Sequence, residues 1–454
     1  MRCLSITARS TGLLLLLSPL LAAAQGQQGS GSPYSAYGLG DLIGSTQVAQ
    51  ATMGGLGVAV MDPASVIATN PASYVSLQRT CFETAVVVRS SKYATTDAER
   101  NGRRTDLLGL SLGVPFGKGR WGMALGVNPM SNVGYRISDT GALPNDGGTV
   151  TYNYTGDGGL NKAYMGAGLI VAQKRDTLNN GYRLSIGANV GYVFGTIEET
   201  RKAVYPISAS YYNTSVVSSL VVRNPVFNAG VQLQGDLRRR SDREAKGLRY
   251  LAGVAVDIPS DLTARRTDLI TNYGVSGTGV EIPFDTVLYV DGRKGTLSLP
   301  LGLGLGFTVY NLNWSVSAEV KQRDWRDLTV KVEGYDLPTT LASNTTYIIG
   351  ASFRPAKEMG GSFWERSIYR AGFRYNNDYL IVGGEQLHEM AFSTGVSFPI
   401  MGSSTRSRLN IGTELGERGT TDNGLIRERF ASIFVGITIT PDAREPWFKK
   451  RRIE

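Results

Sequence analysis

The sequence predicts an all-β protein, a transmembrane antiparallel β-barrel of about 14 strands with an N-terminal plug inside its lumen. Long stretches of the chain alternate between apolar and small polar residues. After residue 24, no apolar run is long enough for a transmembrane helix. The connections between the predicted strands also alternate between long and short, as in bacterial outer-membrane barrels.

The first 24 residues have the features of a secretory signal peptide. Arg2 and Arg9 precede an apolar core at residues 13–21, and small residues lead to a predicted cleavage site after Ala24. The sole cysteine of this segment, Cys3, comes before the apolar core and cannot serve as a lipoprotein acceptor. We therefore predict an exported chain without a lipid anchor.

The residue inventory gives no support for catalysis or for a metal site. Once the leader is removed, Cys81 is the remaining cysteine, so no intramolecular disulfide can form. His388 is the only histidine, and no nucleophile can be paired with it from the sequence. We predict that the protein is not an enzyme and binds no cofactor and no metal ion. We also predict that it does not bind nucleic acid.

The clearest alternation lies in residues 298–321. Leu299, Leu301, Leu303 and Leu305 share one predicted face, and the opposite face is mostly Gly, Ser and Asn. A soluble sandwich remains the alternative, but its solvent face would be richer in charged residues. An outward apolar face against lipid and a crowded lumen account better for the pattern.

The predicted segmentation divides residues 77–440 into strands and assigns orientation. Short turns after even strands are placed in the periplasm with both termini, and long loops after odd strands outside the cell. The tail, residues 441–454, is basic. Its Trp447 and Phe448 are predicted to lie at the inner, periplasmic interface of the membrane. The predicted strands are 81–90, 105–116, 120–135, 159–174, 182–197, 222–236, 248–259, 295–310, 312–323, 344–356, 366–377, 386–399, 407–417 and 426–440.

Residues 25–76 form the predicted N-terminal arm and plug, and residues 54–72 are the informative part. Glycines allow tight bends, Asp62-Pro63 and Asn70-Pro71 favour turns, and residues 64–69 could form a short helical turn. Asp62 is the single charge between residues 53 and 77. The segment is predicted to pack inside the barrel, and a surface loop before the first strand is the alternative.

This segment resembles the N-terminal hatch of the FadL-type outer-membrane transporters of fatty acids and other hydrophobic compounds. The matching residues are Gly54, Gly55, Ala59, Asp62, Ala64, Ser65, Asn70, Pro71 and Ala72. The resemblance implies a monomeric barrel in the outer membrane of a Gram-negative bacterium that passes hydrophobic small molecules passively. It also implies a hatch role for Gly54, Gly55, Asp62, Ser65, Asn70, Pro71 and Ala72.

Asn128 and Pro129 fall near the middle of the predicted third strand. Proline cannot donate to a strand ladder, so it marks an edge or an irregularity. In the FadL-type family an inward kink of the third strand makes a lateral opening, and the resemblance implies a lateral gate at these two residues. A plain bulge, or a strand that ends at Val127, are the alternatives.

Residues 32–44 precede the plug and carry apolar side chains on a glycine-rich backbone. They are predicted either to line a hydrophobic ligand pocket or to seal the periplasmic side of the lumen, and an arm packed on the rim is the alternative. The ligand-lining candidates are Tyr34, Tyr37, Leu39, Leu42, Met53 and Leu56.

A second function of a different class stays open. Barrels similar to the FadL-type family also act as docking or shuttle partners in type IX protein secretion, without passing a solute. The long predicted loops at residues 197–221 and 259–294 would suit a partner protein of that kind.

Overall fold

A computed structural model describes residues 31–44, 47–143, 148–174, 181–206, 211–238, 247–333, 340–356, 361–400 and 406–441. The predicted signal peptide, the tail from residue 442 and parts of several predicted turns lie outside these ranges. Within them, no helix is long and apolar enough to cross a membrane. The short helices are α1 (Val48–Ala51) and α2 (Phe363–Arg366), with 3-10 turns at Pro33–Ala36, Pro71–Ser76, Gly117–Gly119, Trp325–Asp327 and Asp422–Gly424.

The described residues form one antiparallel sheet that closes on itself, because β2 pairs with β20. Its strands are β1 (Asp41–Leu42), β2 (Cys81–Ala94), β3 (Glu99–Phe116), β4 (Trp121–Pro129), β5 (Ser131–Ala142), β6 (Thr149–Lys174), β7 (Tyr182–Val204), β8 (Asn213–Arg238), β9 (Leu248–Ile258), β10 (Ser260–Val275), β11 (Glu281–Leu299), β12 (Gly302–Tyr310), β13 (Trp314–Asp324), β14 (Thr329–Val332), β15 (Thr340–Leu341), β16 (Ser343–Phe353), β17 (Ile368–Val382), β18 (Glu385–Pro399), β19 (Arg408–Arg418) and β20 (Arg427–Ile439).

The wall is a 14-stranded barrel, which confirms the predicted fold class. Five crossings are each built from two consecutive strands: β4 with β5, β9 with β10, β11 with β12, β13 with β14, and β15 with β16. β1 belongs to the N-terminal segment and pairs with β5. We call the barrel end with the connections at residues 117–120 and 311–313 the turn end, and the opposite end the loop end.

Four segments predicted as loops are largely strand, so those predictions were wrong. Towards the loop end the strands continue well past the predicted bounds, and β6 and β8 each span 26 residues. Both faces of these extensions carry Ser, Thr, Tyr and charged residues, which hides the alternation that a lipid-facing strand shows. The segments concerned are residues 91–104, 136–158, 197–221 and 259–294.

The barrel has two halves with different interiors. The turn half comprises β4, β9, β12, β13, β16 and the parts of long strands that pair with them. Its outward residues are apolar, as Leu303, Leu305 and Phe307 are 45–60% exposed. Aromatic side chains near its turn end are typical of a membrane interface; they are Phe116, Trp121, Tyr182, Trp314, Phe353 and Trp364.

The loop half comprises β5, β10, β11, β14, β15 and the strand parts that pair with them. Apart from the outer part of the β10–β11 hairpin, where Phe284 and Tyr289 are exposed, most apolar residues here face inward. The outward positions are mostly polar, including Glu198, Arg223, Thr263, Arg265, Lys294 and Thr296. The buried cluster inside, which we call the loop-half core, contains Tyr34, Leu39, Val133, Tyr135, Leu160, Val193, Ile197, Leu220, Val222, Leu262, Ala264, Leu297, Leu299, Trp325, Leu328, Val332, Leu341, Tyr379, Leu380, Leu387 and Leu425.

The switch between the halves occurs at Pro300 in the eighth crossing. Leu297 and Leu299 are 0% and 7% exposed, whereas Leu301 and Leu303 are 44% and 45% exposed. The irregular backbone between β11 and β12 therefore turns the leucines from the lumen to the lipid side. The prediction that Leu299 shares a face with Leu301 was wrong for this reason.

Candidate functional site

The plug, residues 47–76, is held to the wall through its own backbone. Glu319 of β13 accepts hydrogen bonds from three successive amides: Gly57 N at 2.9 Å, Val58 N at 2.7 Å and Ala59 N at 2.8 Å. The Glu319 side chain is fully buried, with Lys321 Nζ 3.8 Å away. Such charge-assisted bonds are strong because the acceptor carries a full charge.

A second carboxylate holds the plug from another side of the barrel. Glu83 of β2 accepts a 2.6 Å hydrogen bond from Val66 N and a 3.1 Å hydrogen bond from Ser65 Oγ. Its other oxygen accepts from Thr438 Oγ1 of β20 at 3.0 Å. Asn70 donates to Val58 O at 2.7 Å and to Val254 O of β9 at 3.2 Å. These contacts from several strands enclose the plug within the wall.

A row of glycines gives the plug room to approach the wall. Gly122, Gly168, Gly187 and Gly230 are register partners across four neighbouring strands. A β-carbon at any of them would overlap plug atoms between residues 70 and 74. The 3-10 turn Pro71–Ser76 lies against this row. No helical turn is present at residues 64–69, so that prediction was wrong.

Asp62, a predicted hatch residue, lies among arginines of the wall. Its carboxylate is 4.0 Å from Arg370 Nη2 and accepts a hydrogen bond from Ala64 N at 2.8 Å. Burial favours the neutral acid, but the guanidiniums of Arg408 and Arg370 outweigh it and hold the pKa of Asp62 below its ordinary value. Gly54, another predicted hatch residue, donates its N–H to Ser393 Oγ at 2.9 Å.

The third crossing is interrupted at Met130, directly after the two predicted gate residues. β4 ends at Pro129 and β5 begins at Ser131. Asn128 is 3% exposed and faces Lys162 across the ladder. β3 pairs with β4 only as far as the partners Leu110 and Val127.

Beyond this point the wall has a gap. Within the described residues, β3 residues 99–109 pair with β2 and β5 pairs with β6, and no backbone pairing joins β3 to β5. The unjoined edges of these two strands face each other on the loop-end side of Asn128, where β1 pairs with the first two residues of β5. This gap is the interruption in the barrel wall nearest to the predicted gate.

Two cavities lie in the lumen between the plug and the loop-half core. The first, about 250 Å³, has several charged residues in its lining, including Arg89, Arg374, Glu389 and Glu414. The second, about 310 Å³, is more apolar and is lined by Pro129, Met130, Val226, Leu299 and Trp325 among others. Leu42, Ile43 and Gly44 border both cavities, so the arm separates them.

The six ligand-lining candidates do not form one pocket. Leu42 borders both cavities. Tyr34 and Leu39 are packed in the loop-half core with Tyr37 beside them, and Met53 and Leu56 pack on Ile348 of β16. The arm therefore lies towards the loop end. The prediction that it seals the turn end was wrong.

The charged residues that hold the plug were missed by sequence reasoning. Glu319 and Lys321 occupy the polar face of a predicted strand that otherwise carries Ser and Asn there. A charge on a face lined by small residues indicates a partner inside the lumen. That signal was present for Glu319 but gave no indication of which plug atoms would bind it.

A family model described as BamG matches residues 10–454. No curated protein sequence matches the chain. Among solved structures, the toluene transporter TbuX of Ralstonia pickettii matches with a TM-score of 0.53 and 15% identity, covering 87% of this chain and 98% of that one.

Two further solved structures share the fold. The monoaromatic hydrocarbon channel CymD matches with a TM-score of 0.53 and 14% identity, over 88% of this chain and 99% of that one. The toluene transporter TodX of P. putida matches with a TM-score of 0.51 and 14% identity over the same shares. The predicted FadL-type resemblance is thereby confirmed at the level of the fold.

Proposed function

The chain belongs to the BamG family, and from its barrel fold and interrupted wall we propose that it is an outer-membrane protein passing small hydrophobic molecules passively. The molecules leave the lumen sideways, through the gap beside Asn128 and Pro129. The observation that carries this proposal is the missing ladder between β3 residues 99–109 and β5. Solved structures with this fold are described as toluene transporters and a monoaromatic hydrocarbon channel, which supports the choice of a hydrophobic solute.

The loop-half core supports a sideways route over an axial one. Leu262, Leu297 and Leu380 are each 0% exposed inside the barrel mouth. A solute moving along the barrel axis through the loop half would have to displace this apolar packing, whereas a solute passing through the wall at the gap would not. The second cavity reaches the break between β4 and β5, since Pro129 and Met130 belong to its lining, and the first cavity reaches the β3 side of the gap at Arg104 and Leu107.

The test is uptake of hydrophobic dyes and monoaromatic hydrocarbons into liposomes that contain the protein. Pro129→Val restores a backbone donor at the kink and should reduce uptake by about tenfold, equivalent to about 1.4 kcal/mol in the barrier. Pro115→Val is the matched control, because Pro115 lies in β3 near the turn end, opposite Gly122. Equal uptake by the Pro129→Val variant and the parent would refute the lateral route.

A second function, docking of a partner protein, is favoured by the β10–β11 hairpin. Within the described residues, β11 pairs only with β10 until Gly295, where β14 joins it. Its apolar side chains are exposed: Phe284 at 61%, Tyr289 at 62% and Val287 at 56%. A long exposed strand edge of this kind favours pairing with another chain.

Purification in mild detergent separates the two functions. Docking requires a stoichiometric protein partner that is lost in the Phe284→Glu/Tyr289→Glu variant, while uptake of hydrophobic probes stays unchanged. Thr263→Glu adds a charge at an outward, exposed position of the loop half and is the control that should keep the partner. A monomer without a partner protein would count against docking.

A further inference from the structure

Polar side chains span the wall gap where the backbone ladder is missing. Arg104 Nε of β3 donates to Asp106 Oδ2 at 2.6 Å, and its Nη1 donates to Asn132 Oδ1 of β5 at 3.4 Å. Asn132 Nδ2 in turn donates to Asp106 Oδ1 at 3.0 Å. The two strands facing the gap are thus joined by a small set of side-chain contacts.

The N-terminal arm covers the free edge of β5 next to these contacts. Asp41 and Leu42 of β1 are the register partners of Asn132 and Ser131, and Ile43 N donates to Met130 O at 3.0 Å. Gly40, with φ of +88°, brings the arm so close that a β-carbon would lie 2.6 Å from Asn132 O. The arm therefore takes the place of β3 beside the first residues of β5, Ser131 and Asn132.

Asp41 connects this arm to two separate parts of the wall. Its Oδ2 lies 3.7 Å from Arg104 Nη1 beside the gap, and its Oδ1 lies 2.7 Å from Arg418 Nη1 of β19. Arg418 is also bound to Asp378 of β17 at 2.7 Å, and its side chain is only 8% exposed. One carboxylate thus holds the arm between two arginines.

We propose that Asp41 is a latch that keeps the arm on β5 and so closes the gap between β3 and β5 from inside. The inference rests on the proposed lateral route for its biological meaning. β1 is only two residues long, and few backbone hydrogen bonds hold it to β5. Tyr34 and Tyr379 keep residues 34–40 in place through hydrogen bonds to Ile426 O and Gly40 O. Loss of the Asp41 charge removes both ion pairs of the segment that follows, so residues 41–44 detach from β5 and the cavities bordered by Leu42 open through the gap beside the exposed Leu107.

The test is the labelling rate of a cysteine placed inside the lumen. Thr346→Cys puts a thiol on the lining of both cavities, in a Cys3→Ser/Cys81→Ser background. The full chain in liposomes is treated with a maleimide dissolved in the bilayer. Asp41→Asn should raise the labelling rate by about tenfold or more, the scale expected for losing one charge-assisted hydrogen bond, and Asp41→Glu should stay near the parent rate.

Two controls fix the interpretation. Asp291→Asn, which breaks an exposed pair with Arg265 on the hairpin, should leave the labelling rate unchanged. Leu42→Cys/Ser131→Cys joins two register partners, and its oxidised form should cancel the effect of Asp41→Asn until a reductant is added. In these locking variants, mass spectrometry assigns the label to residue 346.

The latch is refuted if a folded Asp41→Asn variant labels at the parent rate, or if the oxidised lock leaves fast labelling in place. Failure of transport is distinguishable from failure of the latch, because labelling does not require a solute to pass. Fast labelling by Asp41→Asn together with unchanged uptake by Pro129→Val would support the latch and refute the transport route.

Discussion

The turn half and the loop half of this barrel are held together by different interactions. In the turn half, glycines and buried carboxylates face a plug whose backbone fills the lumen. In the loop half, leucines and aromatic residues face one another and form an apolar core of the kind found in soluble proteins. The apolar side chains of the wall therefore point outward to lipid in the turn half and inward to the core in the loop half.

The largest expected effect comes from the polar attachment in the turn half. Glu319→Ala leaves three plug amides without an acceptor in a buried site, and should lower the unfolding free energy by about 4 kcal/mol. Thermal unfolding in detergent measures the loss. Glu385→Ala, at an exposed glutamate on β18, is the control that should change little.

The inverted interior of the loop half is tested by two leucines of the eighth crossing. Leu297→Ala opens a cavity in the loop-half core and should cost about 3 kcal/mol. Leu303→Ala removes a side chain that faces lipid and is 45% exposed, so its cost should be much smaller. Equal losses in chemical unfolding would contradict the described switch at Pro300.

A smaller effect is expected where the wall touches the plug backbone. Gly187→Ala places a methyl group against Pro71 and Ala72, and overpacking of this kind costs about 2 kcal/mol. Gly277→Ala is the matched control, because a β-carbon there meets no atom within 4 Å. A stable Gly187→Ala variant with an unchanged melting temperature would show that the contact is loose.

The smallest effect is the pH dependence from Asp62. Its pKa is lowered in the folded protein, so its contribution to stability is complete above the ordinary aspartate pKa of about 3.9. That contribution is lost as the pH falls through the lower folded pKa. Asp62→Asn should therefore flatten the acid side of the stability profile, measured by unfolding between pH 2 and 6, whereas Asp97→Asn in an exposed turn should not.

The barrel was predictable because lipid imposes a strict rule on the turn half. Alternating residues such as Leu303 and Leu305 must face outward, and only glycine and small polar residues fit beside a plug. The start of the first barrel strand, β2, at Cys81 was also predicted correctly. Beyond the hydrocarbon layer this alternation is no longer required. The loop-end extensions of β6, β7 and β8 lack it and were therefore predicted as loops.

The site was predictable only in outline. Pro129 marks the interrupted crossing because a proline has no backbone donor, and that property is local to one residue. The contacts of Asp41 with Arg104 and Arg418 join positions 63 and 377 residues apart along the chain. An inward charge gives no sequence signal for its partner, so the side chains that bridge the gap could not be assigned in advance.

Glu83 lies at the seam where the first and last strands of the barrel meet. Its two oxygens bind the plug on one side and Thr438 of the final strand on the other. The seam between the first and last barrel strands therefore joins three parts of the chain at one carboxylate. A chain whose N-terminal segment was not seated would leave the Glu83 carboxylate without its donors Ser65 and Val66, beside Thr438.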